Sequence, residues 1–199
     1  VSLMYDKTYP YFQEVCKYIR CNKPGVCLAT GGVSATANVE RILKEKLADL
    51  VFSYEGEVSL RYFCAYLKKE TTELPLNLSF LDSSDSVLHT QKLQGGEFDV
   101  DIREEYSLIP IRDFHKVGSL SNYSRMNGVE VPFATIISRR GCRGRCSFCG
   151  VRSFNGEGVR VRKAESVLQE MEFLYHKYGI RHFDWLDDDL LFDQEEALE

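Results

Sequence analysis

No stretch of this sequence is long and apolar enough to cross a bilayer, which takes about 20 apolar residues in a row. Its first residues also lack the basic and apolar regions of a secretory signal, so a cytoplasmic protein is expected. Positive charge is not in excess: 25 Lys and Arg stand against 30 Asp and Glu, a formal net charge of -5. That balance gives no general attraction to nucleic acid or to an anionic membrane. Seven cysteines, an odd number, suit a disulfide framework poorly, and a reducing compartment suits unpaired thiols better. With 44% hydrophobic and 28% charged residues over 199 positions, the chain has material for the cores of one or two globular domains.

What is present is concentrated in one loop. Cys142, Cys146 and Cys149 stand at C-x3-C-x2-C spacing among glycines and arginines, directly after an apolar run at 133–137. A structural zinc site wants four protein ligands, and electron-transfer clusters are held by four cysteines. Three cysteines with no fourth nearby match a cluster that keeps one iron open to an outside ligand. A zinc knuckle completed by the distant His176 or His182 is the competing reading. The nearby Arg139, Arg140, Arg143 and Arg145 would meet a carboxylate or phosphate, or offset the negative charge of thiolates on a cluster. Cys16, Cys21, Cys27 and Cys64 lie in or beside apolar patterns and are expected to be buried small hydrophobes.

Taken in order, the chain opens at 1–4 on what reads as a strand. A helix starts at Tyr9 and Pro10 with Phe12, Val15, Cys16 and Ile19 on one face. A strand at 25–30 ends in Gly31 and Gly32. A helix marked by Val39, Ile42, Leu43 and Leu47 follows, then a strand at Leu50, Val51 and Phe52, then a helix marked by Leu60, Phe63, Cys64 and Leu67. This alternation predicts a parallel sheet with helices on its faces. Ligands of such sheets bind beyond the carboxyl ends of the strands. There the Gly31-Gly32 pair is either a simple turn or a place where a flat ligand approaches bare backbone.

From 71 to 128 the character changes. Segments 76–80 and 87–91 predict a hairpin. Asp99, Asp101, Glu104 and Glu105 read as a solvated connector, the stretch through Met126 has no clear period, and His89 and His115 read as surface residues. From near Val129 a strand at 132–137 delivers the cysteine loop. A helix with Val167, Leu168, Met171, Leu174, Tyr175 and Tyr178 on one face is ended by Gly179, and a strand at 180–186 is capped by Asp187, Asp188 and Asp189. Strand, helix, strand is the opening of a β/α barrel.

At the cysteine loop, with Phe148 before the last cysteine, the sequence resembles the radical S-adenosylmethionine superfamily. Residues 31–37, with Tyr54, Glu55, Gly56 and Glu57 about twenty positions on, look like the cobalamin-binding domain found upstream of many of its members. Tyr54 stands where those members usually have Gly, and their first strand, with the loop in which some carry a cobalt-ligating histidine, has no counterpart here. The resemblance implies an α/β protein: a truncated Rossmann-like cobalamin-binding-type domain over 1–70, a hairpin and interdomain linker over 71–128, and the first part of a radical S-adenosylmethionine partial barrel over 129–199. The segment is thus expected to be a fragment of a longer enzyme.

Cys142, Cys146 and Cys149 would ligate a 4Fe-4S cluster whose open iron binds S-adenosylmethionine. Phe148 would pack near the adenine, Asp187 or Asp188 would meet the amino group, and Gly31 and Gly32 would border cobalamin where that cofactor is kept. The implied chemistry is reductive cleavage to a 5'-deoxyadenosyl radical, with cobalamin-dependent methyl transfer as one outcome. It would call on an electron donor and a small-molecule or peptide substrate. Two alternatives stay open at this point, a methylthiotransferase-like radical enzyme and a zinc-stabilised, non-enzymatic binding module.

Overall fold

Pro10 in the first turn, where its missing N–H costs nothing, sets the start of helix α1 (Tyr9–Asn22), which buries Tyr9, Phe12 and Cys16 and leaves Val15 exposed. The structure, a computed structural model, describes residues 1–96, 98–117, 131–191 and 195. The expected start of the second domain near Val129 and the unassigned stretch around Met126 lie outside the described residues. The chain divides into two compact units, one of residues 1–96 with 148–156 and the other of 97–147 with 157–199.

In the first unit, β1 (Ala29–Gly31) pairs in parallel with β2 (Leu50–Phe52), and helices α2 (Val33–Ala37) and α3 (Val39–Lys44) form the crossover between them. The expected opening strand is reduced to one parallel bridge between Ser2 and Gly31. After α4 (Gly56–Leu67), strands β3 (Leu78–Leu81) and β4 (Val87–His89) form a hairpin. The hairpin extends the same sheet antiparallel to β2, in the order β1-β2-β3-β4. The sheet is therefore mixed, where the helix–strand alternation predicts a parallel one. The reason is local: Asp82 folds a tight turn by accepting the amides of Ser84 and Ser86 at 2.7 and 2.9 Å, and a two-strand turn can only return antiparallel.

The core of this unit joins Leu3, Phe12, Cys16, Leu28, Ile42, Leu43 and Val51. Helix α4 contributes little to it. Its one fully buried residue is Ser59, and the Leu60 and Leu67 of its expected inner face are exposed. His89 bonds the hydroxyl of Ser79 through Nδ1 at 2.8 Å. The unit also holds the short helix α6 (Val151–Asn155), where Gln94 donates to the Ser153 carbonyl at 2.7 Å.

In the second unit, after the one-turn helix α5 (Phe114–Val117), strand β5 (Phe133–Ile136) leads through two residues into β6 (Arg139–Cys142). The latter pairs antiparallel with β7 (Gly158–Val161). Helix α7 (Ala164–Tyr178) follows, closed by Gly179 in the left-handed region at φ 71°. The chain then returns as β8 (His182–Trp185), parallel to β5. Strand, long helix and parallel strand are where the sequence pattern puts them. The β6–β7 hairpin is additional: the cysteine loop springs from it, not directly from the first strand. The core gathers Tyr106, Ile111, Ala134, Ile136, Val167, Leu174 and Ile180. No helix among the described residues is long and apolar enough to cross a membrane.

Candidate active site around the cysteine loop

Gly141 shapes the arm that carries the first cysteine. Its φ of +94° is open to glycine, and a Cβ there would lie 2.3 Å from the carbonyl oxygen of Gly158 on the paired strand. Any side chain would force the hairpin apart. Beyond it the chain turns at Gly144. A point one bond out from the Gly144 backbone is 3.3 Å from Cys142 Sγ and 3.8 Å from Cys146 Sγ, so both sulfurs look onto the space that this glycine leaves empty. The Gly144 amide donates to Cys142 Sγ at 3.3 Å. Cys142 is half-buried, while Cys146, Cys149 and Phe148 are exposed, the Phe148 ring at 91%.

Cys149 and Phe148 belong to the first unit. Among the described residues no three metal-ligating side chains are gathered into a ready-made site. What the structure brings together is the pair of sulfurs from Cys142 and Cys146. A half-buried and an exposed thiol around a glycine cradle fit a bulky iron–sulfur cluster on the loop surface. They fit less well the closed zinc knuckle, whose candidate histidines lie elsewhere. His182 begins β8, and the loop lies beyond the end of β5 that pairs with Trp185. His176 is near the end of α7, edge-on to Tyr175. Both sit at the opposite end of the strand pair from the cysteines.

The acidic triplet at the end of β8 is bound to the cysteine arm. Asp187 accepts the amides of Ser138 and Arg139 at 2.7 and 2.9 Å and also the Ser138 hydroxyl. Trp185 Nε1 donates to the same hydroxyl at 3.0 Å. Asp188 accepts the Gly141 amide at 3.2 Å and is exposed. Asp189, with its side chain only 13% exposed, pairs with Arg143 Nε at 3.2 Å. Of the four arginines, Arg139 is buried, Arg143 is paired with Asp189, Arg140 lies over the Phe98 ring at 4.9 Å and Arg145 is exposed; Arg160 lies over the same Phe98 ring at 5.5 Å.

Behind the arm is a buried ionic cluster that the sequence did not disclose. Arg162, with its side chain 8% exposed, donates to Glu170 at 2.7 Å, to Asp99 at 3.2 Å and to the Ile137 carbonyl at 3.1 Å. Tyr106 donates to the other Glu170 oxygen at 2.5 Å. Burial alone would lower the Arg162 pKa, but Glu170 and Asp99 outweigh it and raise it. Burial and Glu170 together push the Tyr106 phenol up. Asp99 was expected in a solvated connector. Its carboxyl is held below the usual range because the Lys163 amide, Arg162 and Ser166 outweigh its desolvation. The i, i+8 offset of Arg162 and Glu170 across a strand-to-helix turn has no periodic signature, and that is why the pattern missed it.

In the first unit, Gly31 and Gly32 lie at the end of β1 as expected, and the structure supplies a reason for each. A Cβ on Gly31 would sit 3.1 Å from the Phe52 carbonyl, and one on Gly32, at φ +112°, 2.6 Å from the Leu3 carbonyl. Thr36 donates to the Gly32 carbonyl at 3.0 Å and accepts the Tyr54 amide at 2.9 Å, tying the ends of β1 and β2 together. Tyr54 is in the left-handed region at φ 61°, a conformation native to glycine. Lys92 lies 4.6 Å from its ring. Of the cysteines expected to be buried, Cys16 is; Cys21, Cys27 and Cys64 are exposed.

No protein-family model matches the chain. An uncharacterized methyltransferase of Pyrococcus horikoshii is 25% identical over 201 residues, spanning 100% of this chain and 40% of the relative. Cytidylyl-2-hydroxyethylphosphonate methyltransferase of Streptomyces wedmorensis is 23% identical over 196 residues, spanning 88% of this chain and 36% of the relative. The radical S-adenosylmethionine methyltransferase TsrM from Kitasatospora setae, solved with cobalamin and a 4Fe-4S cluster bound, has the same fold. It superposes with a TM-score of 0.67 at 16% identity, over 99% of this chain and 38% of that one. The chain thus spans about two fifths of the length of the curated relatives it matches.

Proposed function

We propose that this chain belongs to an iron–sulfur enzyme that binds S-adenosylmethionine and cobalamin and transfers a methyl group to a small-molecule substrate, fed by an external electron donor in a reducing cytoplasm. The observation that carries the proposal is the exposed C-x3-C-x2-C loop. Its first two sulfurs share the Gly144 cradle beyond the carboxyl end of a parallel strand pair. Two of the sequence relatives are methyltransferases and a third, 23% identical over 182 residues, is the anaerobic magnesium-protoporphyrin IX monomethyl ester cyclase of Synechocystis; the two favour methyl transfer over the methylthiotransferase and zinc-module readings.

In this reading Cys142, Cys146 and Cys149 hold the cluster and leave one iron open. Phe148 offers its ring to the adenine, and Asp188, the exposed member of the triplet, meets the ammonium group, an electrostatic match. The first unit acts as a Rossmann-like cobalamin domain. The turns at 31–32 and 54–57, beyond the ends of β1 and β2, would hold that cofactor. When bound, these cofactors supply the one-electron and methyl-carrier chemistry, which no side chain here provides. The protein's part is to hold them in register and keep water from the reacting atoms. Metal analysis after anaerobic purification tests the reading. Iron and sulfide in equal amounts with a brown colour are expected, and colourless protein carrying one zinc would overturn it.

A further inference from the structure

We infer that the acidic triplet after β8 is a clamp that presets the arm of the cysteine loop, with Asp187 as its positioning residue. The inference builds on the reading of the loop as a cluster holder. Among the described residues strand β6 pairs along one edge, with β7; the amides of Arg139 and Gly141, and of Arg143 just past the strand's end, are bonded on the other edge. Each successive carboxylate takes the next amide on that edge: Asp187 takes Arg139 at 2.9 Å, Asp188 takes Gly141 at 3.2 Å and Asp189 takes Arg143 at 3.4 Å. Amides two residues apart point the same way along a strand, so three consecutive side chains stand in for a missing partner strand.

Asp187 carries the most. Both its oxygens are occupied, one by the amides of Ser138 and Arg139 and the other by the Ser138 hydroxyl. That hydroxyl is itself fixed by Trp185 Nε1 at 3.0 Å. Asp187 could reach an ammonium group only by releasing two backbone amides, each left without its charged acceptor. The clamp therefore removes Asp187 from the pair of carboxylates considered for the ammonium group. All three hold the loop, Asp187 by two amides and a hydroxyl and Asp188 and Asp189 by one amide each, and Asp189 also anchors Arg143 beside Cys142, whose Sγ is 3.8 Å away.

The test compares Asp187→Ala, Asp187→Asn and Asp188→Ala by three readouts: amide hydrogen exchange of residues 138–143 in metal-free protein, iron release from the reconstituted protein to a chelator, and S-adenosylmethionine affinity of protein still carrying its cluster. For Asp187→Ala, exchange and iron release should each rise by about tenfold or more, the scale of a lost charge-assisted bond, with affinity within about twofold of the parent. Asp187→Asn keeps an acceptor oxygen and should recover part of both effects. Asp188→Ala, which gives up the single Gly141 amide, should raise exchange and iron release less than Asp187→Ala does and should lower the affinity instead. Unchanged exchange at 138–143 in Asp187→Ala would overturn the clamp, and so would a tenfold loss of affinity with iron release unaltered. If the parent takes up no iron, the cluster reading fails by itself, while exchange still decides for or against the clamp.

Discussion

Gly32 combines a positive φ with a Leu3 carbonyl standing where its Cβ would be, so the need for glycine is set by the fold before any ligand arrives. Gly32→Ala should therefore cost the cofactor-free protein about 2 kcal/mol or more, through strain and overpacking; chemical denaturation measures it. Were the glycine there only for a ligand's approach, the cofactor-free fold would be unaffected. Tyr54 is the complementary case, a side chain in a conformation that glycine adopts freely. Tyr54→Gly should be tolerated within about 1 kcal/mol, the lost Lys92 contact offsetting the relieved strain. A β-branched Tyr54→Val should lose about 1–2 kcal/mol.

At this scale the sequence was legible where one residue type has one use. The Gly31-Gly32 turn and the Gly179 helix end are where they were expected. It was illegible where burial depends on a partner far along the chain. Cys64 sits in an apolar helical pattern, yet α4 turns that face outward, and no local period reports which face a sheet will take.

At the scale of elements, the cluster of Arg162, Glu170, Tyr106 and Asp99 joins β7, α7, the segment before α5 and the end of β5. Removing one partner strands a buried charge, so Glu170→Ala should destabilise the second unit by about 3–5 kcal/mol, and Tyr106→Phe by about 1–2 kcal/mol. Thermal unfolding followed by the single tryptophan, Trp185, reads this unit directly. The pH dependence has a definite sign. The Asp99 pKa is lowered in the fold, so its contribution is complete above the unfolded carboxylate value of about 4. It is lost as the pH falls through the lower folded value. An acid titration should lose stability below about pH 4, and Asp99→Asn should flatten that loss; an identical curve in the variant would assign it to other carboxylates.

The β5–α7–β8 unit was readable because its long helix keeps its period and ends in a glycine. The β6–β7 hairpin was not: Arg139, Arg140, Arg160 and Arg162 carry no apolar alternation, and their pairing depends on Gly141 admitting the Gly158 carbonyl.

For the molecule as a whole, two α/β units have separate cores, and the boundary between them along the sequence falls within the cysteine loop, between Ser147 and Phe148. The parallel crossover from β1 to β2 was legible from strand and helix alternation. The mixed character of the first sheet was not, because a hairpin adds to a sheet edge that no local pattern specifies. The central claim is that the loop holds a cluster with an open iron. Electron paramagnetic resonance of the reconstituted, reduced protein, with and without S-adenosylmethionine, tests it most directly. A four-iron signal that shifts on adding S-adenosylmethionine and is lost in Cys146→Ala is the predicted result. A signal that ignores both S-adenosylmethionine and the loss of Cys146 would contradict it.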